Sequence, residues 1–340
     1  MQTGGGPAET LAELGEWELI ERIAAFAPAG QFGDDAALLA IPTIPGGQER
    51  LVITSDALVE NVHFSDATTA AADVGWRGAA ANLSDLAAMG CTRVLGLTVA
   101  LVAPPDTPWP WVEGVYGGLS AALQAAGGVL LGGDCSGGRQ RLLAITALGL
   151  VAAPRAIHRN RGQPGDLLVS TGDHGLSRLG LALLQGELEP SEREHLPAEL
   201  QSRAIRCHRR PHPRFDAVQA LARLWGDQPW RVAGTDSSDG LLAAAGWIAS
   251  ASGCTAVLVR AGLPIDPAMA ALPQAESWCL CGGEDFELVL ALAPAPARAL
   301  CQALPGSRLV GRLESGAPQV VWAGDGQAVR AALPGFAHFR

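Results

Sequence analysis

Along most of the chain, short β-rich apolar runs alternate with longer stretches in which apolar residues recur at helical spacing. Thr10 can cap a first helix whose apolar face carries Leu11, Leu14, Leu19, Ile20 and Ile23. Leu51 to Thr54 reads as a short strand that delivers Asp56 just past its end. A helix is predicted over about 70–89, with Asn82 and Asp85 three positions apart and so on one face. Val94 to Val102 alternates as a strand, and Pro104, Pro105 and Pro108 separate it from a helix over about 109–126. Val129 to Leu131 reads as a buried-type strand ending in Gly132-Gly133-Asp134, and Leu142 to Val151 as another strand.

Pro, Gly and Arg crowd the stretch 152–165, which marks a domain boundary. Beyond it the alternation resumes. A strand over 166–170 meets a glycine turn and a helix from Leu176, and the polar stretch 186–197 reads as a surface loop. Helices are predicted near 198–208, 214–225 and 240–252, and strands near 256–259, 286–292, 308–313 and 319–322. Helix and strand occur on both sides of the boundary, so the fold class is α/β in two domains, 10–153 and 154–340, behind a disordered, glycine-rich tail at 1–9.

Composition narrows the function. At 340 residues with 48% hydrophobic and 17% charged side chains, the chain can bury a large core. A net charge of −10 argues against nucleic-acid or anionic-membrane partners. No apolar run reaches the roughly 18 residues of a membrane span, and the N-terminus lacks the basic and apolar regions of a signal peptide. The 7 cysteines are scattered without zinc spacing. They read as reduced thiols of a cytoplasmic protein, with Cys279 and Cys281 on opposite faces of a strand. There is no lysine, and all 24 cationic side chains are Arg. That excludes a phosphate-loop lysine, a protein-kinase lysine and a Schiff-base lysine.

Six short acidic motifs stand at the ends of these elements: Gly33-Asp34-Asp35, Thr54-Ser55-Asp56, Asn82-Leu83-Ser84-Asp85, Gly132-Gly133-Asp134, Asp236-Ser237-Ser238-Asp239-Gly240 and Gly282-Gly283-Glu284-Asp285. Carboxylates that converge repel one another, and hard divalent cations relieve this best. Taken singly, each motif has a plainer reading. Gly33-Asp34-Asp35 suits an exposed turn, Asp85 a helix cap, Gly132-Gly133-Asp134 a tight turn, and Asp236 to Gly240 an elaborate N-cap. His63 suits a structural role, and Arg159 and Arg161 ordinary surface charge, although Arg also grips phosphate with a bidentate fork.

The order and context of the motifs are more specific. GDDAALL (33–39), TSDALVENVHF (54–64), NLSDLAAMG (82–90), GGDCSGG (132–138), HRNRGQPGD (158–166), DSSDGL (236–241), GGEDFEL (282–288) and GFAHF (335–339) together resemble the thiamine-monophosphate kinase family, in the superfamily of aminoimidazole ribonucleotide synthetase. The resemblance implies an aminoimidazole ribonucleotide synthetase-like architecture, an N-terminal αβ domain with a dimerising sheet and a C-terminal α/β domain. It implies ATP-dependent phosphorylation of thiamine monophosphate to thiamine diphosphate by a homodimer, in a cleft between the domains. Asp35, Thr54, Ser55, Asp56, Asp85, Asp134, Asp236 and Asp239 are then expected to bind several Mg2+ ions. Gly133, Asp134, Arg159 and Ser238 are expected to contact ATP, and His63, Glu284 and Phe336 thiamine monophosphate.

No covalent or general-base residue is expected, because the attacking phosphate oxygen is already an anion. Two positions depart from the family pattern. Cys135-Ser136 replaces the usual Thr-Thr, which removes a hydroxyl near the phosphates, and Ser237 stands where Ile is frequent. The missing lysine disfavours selenophosphate synthetase, and the His63 segment and GGEDFEL disfavour aminoimidazole ribonucleotide synthetase. A non-catalytic binding protein of the same fold is the rival from another class.

Overall fold

A computed structural model describes residues 34–40, 49–226 and 228–331. The expected N-terminal tail, the Thr10 helix, Gly33 and Phe336 lie outside the described residues.

The first sheet has five strands in the order β1-β2-β5-β3-β4. They are β1 (Ala37–Ala40), β2 (Glu49–Val59), β3 (Arg93–Ala103), β4 (Val129–Gly137) and β5 (Leu142–Ala152). Neighbours are antiparallel except β3 and β4, which the crossover through a helix makes parallel. Two helices, α1 (Ala71–Ala88) and α2 (Trp109–Ala126), cover one face. They approach closely because each offers a glycine. A Cβ on Gly75 would lie 1.9 Å from the Val115 carbonyl oxygen, and one on Gly118 would lie 1.9 Å from that of Ala72. Leu83, Leu86, Leu119, Leu143 and Ile145 fill the space beneath, each contributing about 1.5–3 kcal/mol by burial.

The second sheet has six strands in the order β11-β8-β10-β6-β9-β7. They are β6 (Leu167–Ser170), β7 (Ala233–Asp236), β8 (Cys254–Leu258), β9 (Leu288–Leu292), β10 (Arg308–Ser315) and β11 (Gln319–Trp322). Its helices are α3 (Leu176–Gln185), α4 (Pro190–His195), α5 (Ala198–Arg209), α6 (Phe215–Trp225), α7 (Leu241–Ser252), α8 (Ala275–Cys281) and α9 (Pro294–Ala303). Leu168, Val289 and Ala291 pack on the α7 side, whereas Val169, Leu288 and Leu290 pack on the α6 and α9 side. Strands covered on both faces read as continuous apolar runs, which is how β9 reads. Ala87 and Ala88, at the end of α1, enter the core beneath α6, so α1 links the two sheets.

Four expectations need correction. Thr54-Ser55-Asp56 lies within β2, because β5 pairs the whole run from Glu49 to Val59. Val129, Leu130 and Leu131 are 58%, 42% and 51% exposed, so β4 is not a buried strand. Cys279 and Cys281 sit on helix α8, not on a strand. The acidic stretch after Gly186 contains α4, whose start is closed by reciprocal hydrogen bonds between Glu189 and Glu192. All 7 cysteines are free thiols.

Candidate active site

β2 and α1 are tied together by side chains of two acidic motifs. Thr54 Oγ1 donates to Asp85 Oδ2 at 2.6 Å, and the Asp56 N–H donates to Asn82 Oδ1 at 3.1 Å. Asn82 and Asp85 therefore do share the sheet-facing side of α1. Ser55 alternates to the other face of β2, where its hydroxyl donates to the Ile145 carbonyl at 2.9 Å.

Asp236 ends β7 in the second sheet. Ser84 Oγ, one residue before Asp85, donates to Asp236 Oδ2 at 2.7 Å across the domain boundary. Ser238 Oγ donates to Asp236 Oδ1 at 3.0 Å. Asp35 arrives from the turn before β1. Its Oδ1 accepts from Arg159 Nη2 at 2.8 Å and from Thr235 Oγ1 at 2.7 Å, and Arg159 lies 4.6 Å from the Trp247 ring centre.

Asp35, Asp85 and Asp236 converge. Each places one carboxylate oxygen within 4.8 Å of the others. Burial pushes all three carboxyls up, Asp85 well above the usual range with Asp56, Asp236 and Asp35 adding repulsion, and Asp236 to about 7. Asp35 Oδ2 is buried with no hydrogen-bond partner among the described residues. Three hard oxygen donors, one of them orphaned, with one nearby Arg between them, fit a divalent oxygen-seeking cation.

The cluster opens onto a cavity of about 820 Å³, whose lining includes Asp56, Asp85, Asp236, Ser238 and Asp239 together with His63 and Glu284. His63 Nδ1 accepts from the Val59 N–H at 3.0 Å, which shapes the turn after β2. Arg77, on α1, donates to Glu284 Oε1 at 2.5 Å. In the same GGEDFEL motif Asp285 has a structural task. Its carboxylate accepts from the N–H groups of Gly175 and Ser177 at 2.7 and 2.9 Å, at the start of α3. Ser237, the unusual polar residue, also finds partners. Its N–H donates to the Glu287 carbonyl at 2.8 Å and its hydroxyl accepts from the Glu287 N–H at 3.2 Å.

Gly133 and Asp134 are not brought to this cluster. They lie on β4, three strands from β2, on the order of 14 Å along the sheet at the usual strand spacing. Asp134 Oδ2 accepts from Ser136 Oγ at 3.1 Å. Arg77, Ser84 and Thr235 escaped the sequence reading. The available signal for Arg77 was an arginine between Trp76 and Gly78 in an otherwise small-residue helix.

The chain is an AIR synthase related protein. The N-terminal domain model of that family matches residues 33–151 and its C-terminal domain model matches residues 163–322. Within it, the chain belongs to the thiamine-monophosphate kinase family. It is 44% identical to the thiamine-monophosphate kinase of Prochlorococcus marinus over 97% of this chain and 98% of that one. It is 48% identical to that of Synechococcus elongatus over 87% of each. A solved structure of AaThiL complexed with AMPPCP and TMP superposes with a TM-score of 0.83 at 27% identity, covering 98% of this chain and all of the other. Among the described residues no helix is long and apolar enough to cross a membrane.

Proposed function

We propose that this protein transfers the γ-phosphoryl group of ATP to thiamine monophosphate, forming thiamine diphosphate and ADP. The observation that carries the reading is the meeting of three carboxylates from three separate segments, buried Asp236 and half-buried Asp35 and Asp85, with Asp85 and Asp236 lining the interdomain cavity. The kinase relatives and the nucleotide-analogue complex of AaThiL support the same chemistry. Residues 10–153 supply one wall of the cleft and 154–340 complete it.

Asp35, Asp85 and Asp236 would hold Mg2+, with Asp56, Asp239 and Thr54 beside them. Bound there, Mg2+ offsets the negative charge of the phosphates as they approach. The chain's own residues do the positioning. Arg159, held by Asp35 and stacked on Trp247, would offer its guanidinium to the ATP phosphates, and Ser238 of the cavity lining would join it. A phosphate oxygen of the substrate attacks in line, so no base removes a proton and no phospho-enzyme forms. His63 and Glu284 stand where the thiamine rings would lie, and Phe336 joins them on the reading from family resemblance.

Gly133 and Asp134 belong to the same reading as ATP and metal contacts, and Ser55 as a metal contact. We place homodimerisation at β4, whose exposed Val129, Leu130 and Leu131 make an apolar edge that a second copy would cover. The setting is cytoplasmic, in keeping with free thiols.

The test is an ADP-release assay with thiamine monophosphate, with and without Mg2+, followed by product identification. Magnesium-dependent thiamine diphosphate is the expected result. Binding of both substrates without turnover would favour the non-catalytic reading.

A further inference from the structure

On the side of the cavity lined by His63 and Glu284, a single buried guanidinium ties three segments together. Arg77 is 4% exposed and belongs to α1 of the first domain. Its Nη2 donates to Glu284 Oε1 at 2.5 Å, in the loop before β9, and to the His63 carbonyl at 3.3 Å, in the turn after β2. Its Nη1 donates to the His208 carbonyl on α5 and lies 3.3 Å from His208 Nδ1. Burial, with Arg77, Arg209 and Arg178 nearby, pushes His208 down to about 2, so its ring is neutral. Nδ1 then accepts, from Arg77 and from Ser177 Oγ at 3.2 Å.

The Glu284 loop needs such fastening. Gly283, Glu284 and Phe286 have φ of 67°, 56° and 52°, in the left-handed region that costs a non-glycine residue about 1–2 kcal/mol. A Cβ on Gly283 would lie 2.6 Å from the Ser238 carbonyl oxygen, so the loop presses on the Asp236–Gly240 motif. The backbone is pinned by the Glu284 N–H donating to that carbonyl at 2.7 Å, and by Asp285 at the start of α3. The remaining freedom is in the Glu284 side chain, which is 35% exposed. Its second oxygen, Oε2, lies 3.8 Å from His208 Nδ1.

We infer that Arg77 is a positioning residue: reaching across the domain boundary, it sets the Glu284 carboxylate and the His63 turn in the arrangement that receives the thiamine rings. The inference rests on the reading of this side of the cavity as the thiamine site. It adds that discrimination for the organic half of the substrate depends on a residue of the opposite domain. Arg suits the task because one planar fork serves acceptors in three segments at once, which a lysine ammonium cannot match in geometry.

The experiment measures KM for thiamine monophosphate, KM for ATP and kcat in Arg77→Lys, Arg77→Met, Glu284→Gln and Arg77→Met/Glu284→Gln, with circular dichroism and Tm recorded for each. Arg77→Met should raise the thiamine monophosphate KM by about 10-fold, equivalent to about 1.4 kcal/mol, with ATP KM changed less than about twofold. Arg77→Lys should fall between wild type and Arg77→Met. The double variant should be no worse than the more severe single one, because the two residues act as a unit. If Arg77→Met does not fold, the Arg77→Lys split between the two KM values decides. Equal rises in both KM values, or a loss of kcat alone, would overturn the proposal. So would unchanged kinetics in both Arg77 variants alongside a raised thiamine monophosphate KM in Glu284→Gln. An unaffected Glu284→Gln would instead overturn the reading of this side as the thiamine site.

Discussion

Two acidic motifs with similar local chemistry meet opposite fates. Asp236 ends a strand buried throughout and joins Asp35 and Asp85 at the cavity. Asp134 also stands on a strand, after Gly132-Gly133, but every residue of that strand is exposed and the strand lies at a sheet edge. The difference is one of surroundings rather than sequence. A carboxylate hemmed in by others and by low-dielectric packing stores repulsion that a cation relieves, whereas an exposed one is already stabilised by water. Convergence and burial together suit the first to the metal role proposed for it. The exposed apolar residues beside the second suit the dimer edge proposed for β4.

The sharpest way to break this contrast is at Asp85. Asp85→Asn should reduce turnover by on the order of 10³-fold, since it removes a central oxygen donor. The metal-free variant should be at least as stable as wild type, because an amide escapes the repulsion of Asp56, Asp236 and Asp35. Asp56→Asn should likewise abolish turnover without unfolding the chain. Kinetics and thermal melts in EDTA check both, and near wild-type activity in either would separate that residue from the metal site.

Next in size is metal linkage. Mg2+ at about 100 times its dissociation constant should stabilise wild type by about 2.7 kcal/mol, and Asp85→Asn by far less. Equal stabilisation of the two would place the metal elsewhere. At the other region, Leu130→Glu should shift the protein toward monomer in sedimentation velocity, by placing a charge on the apolar edge. A variant that sediments like wild type would argue against that edge as the interface.

The smallest effect is a pH trend. Burial raises the folded-state value of Asp236 to about 7 from its ordinary 3.8. The protonated form therefore favours the metal-free fold, fully below about pH 3.8, and the advantage disappears as pH rises through about 7. In EDTA, the Tm of wild type relative to Asp236→Asn should fall between pH 5 and 8. A flat difference would mean that Asp236 is not held in a repulsive, desolvated cluster.

Much of this was legible in the chain before its fold was known. Apolar spacing marked α1 and α2 to within a residue or so, because small-residue helices on a sheet keep a regular buried stripe. Asn82 and Asp85 were correctly placed on one face by periodicity alone. The exposure of β4 was not legible, since Val129-Leu130-Leu131 is the same apolar run whether its own chain or another surface covers it. The length of β2 was missed because polar residues at 54–56 look like a strand end, whereas hydrogen bonding from β5 carries the strand through them. Arg77 was overlooked for a related reason. Its partners His208 and Glu284 lie 131 and 207 residues away, a separation that no local pattern reveals.

The central claim is phosphoryl transfer to thiamine monophosphate at the Asp35–Asp85–Asp236 cluster. Its most direct test is phosphorus NMR of wild type and Asp85→Asn incubated side by side with ATP, Mg2+ and thiamine monophosphate. The account predicts that wild type accumulates thiamine diphosphate and ADP in equal amounts, while folded Asp85→Asn accumulates neither. ADP without thiamine diphosphate from wild type, or matching product from Asp85→Asn, would contradict it.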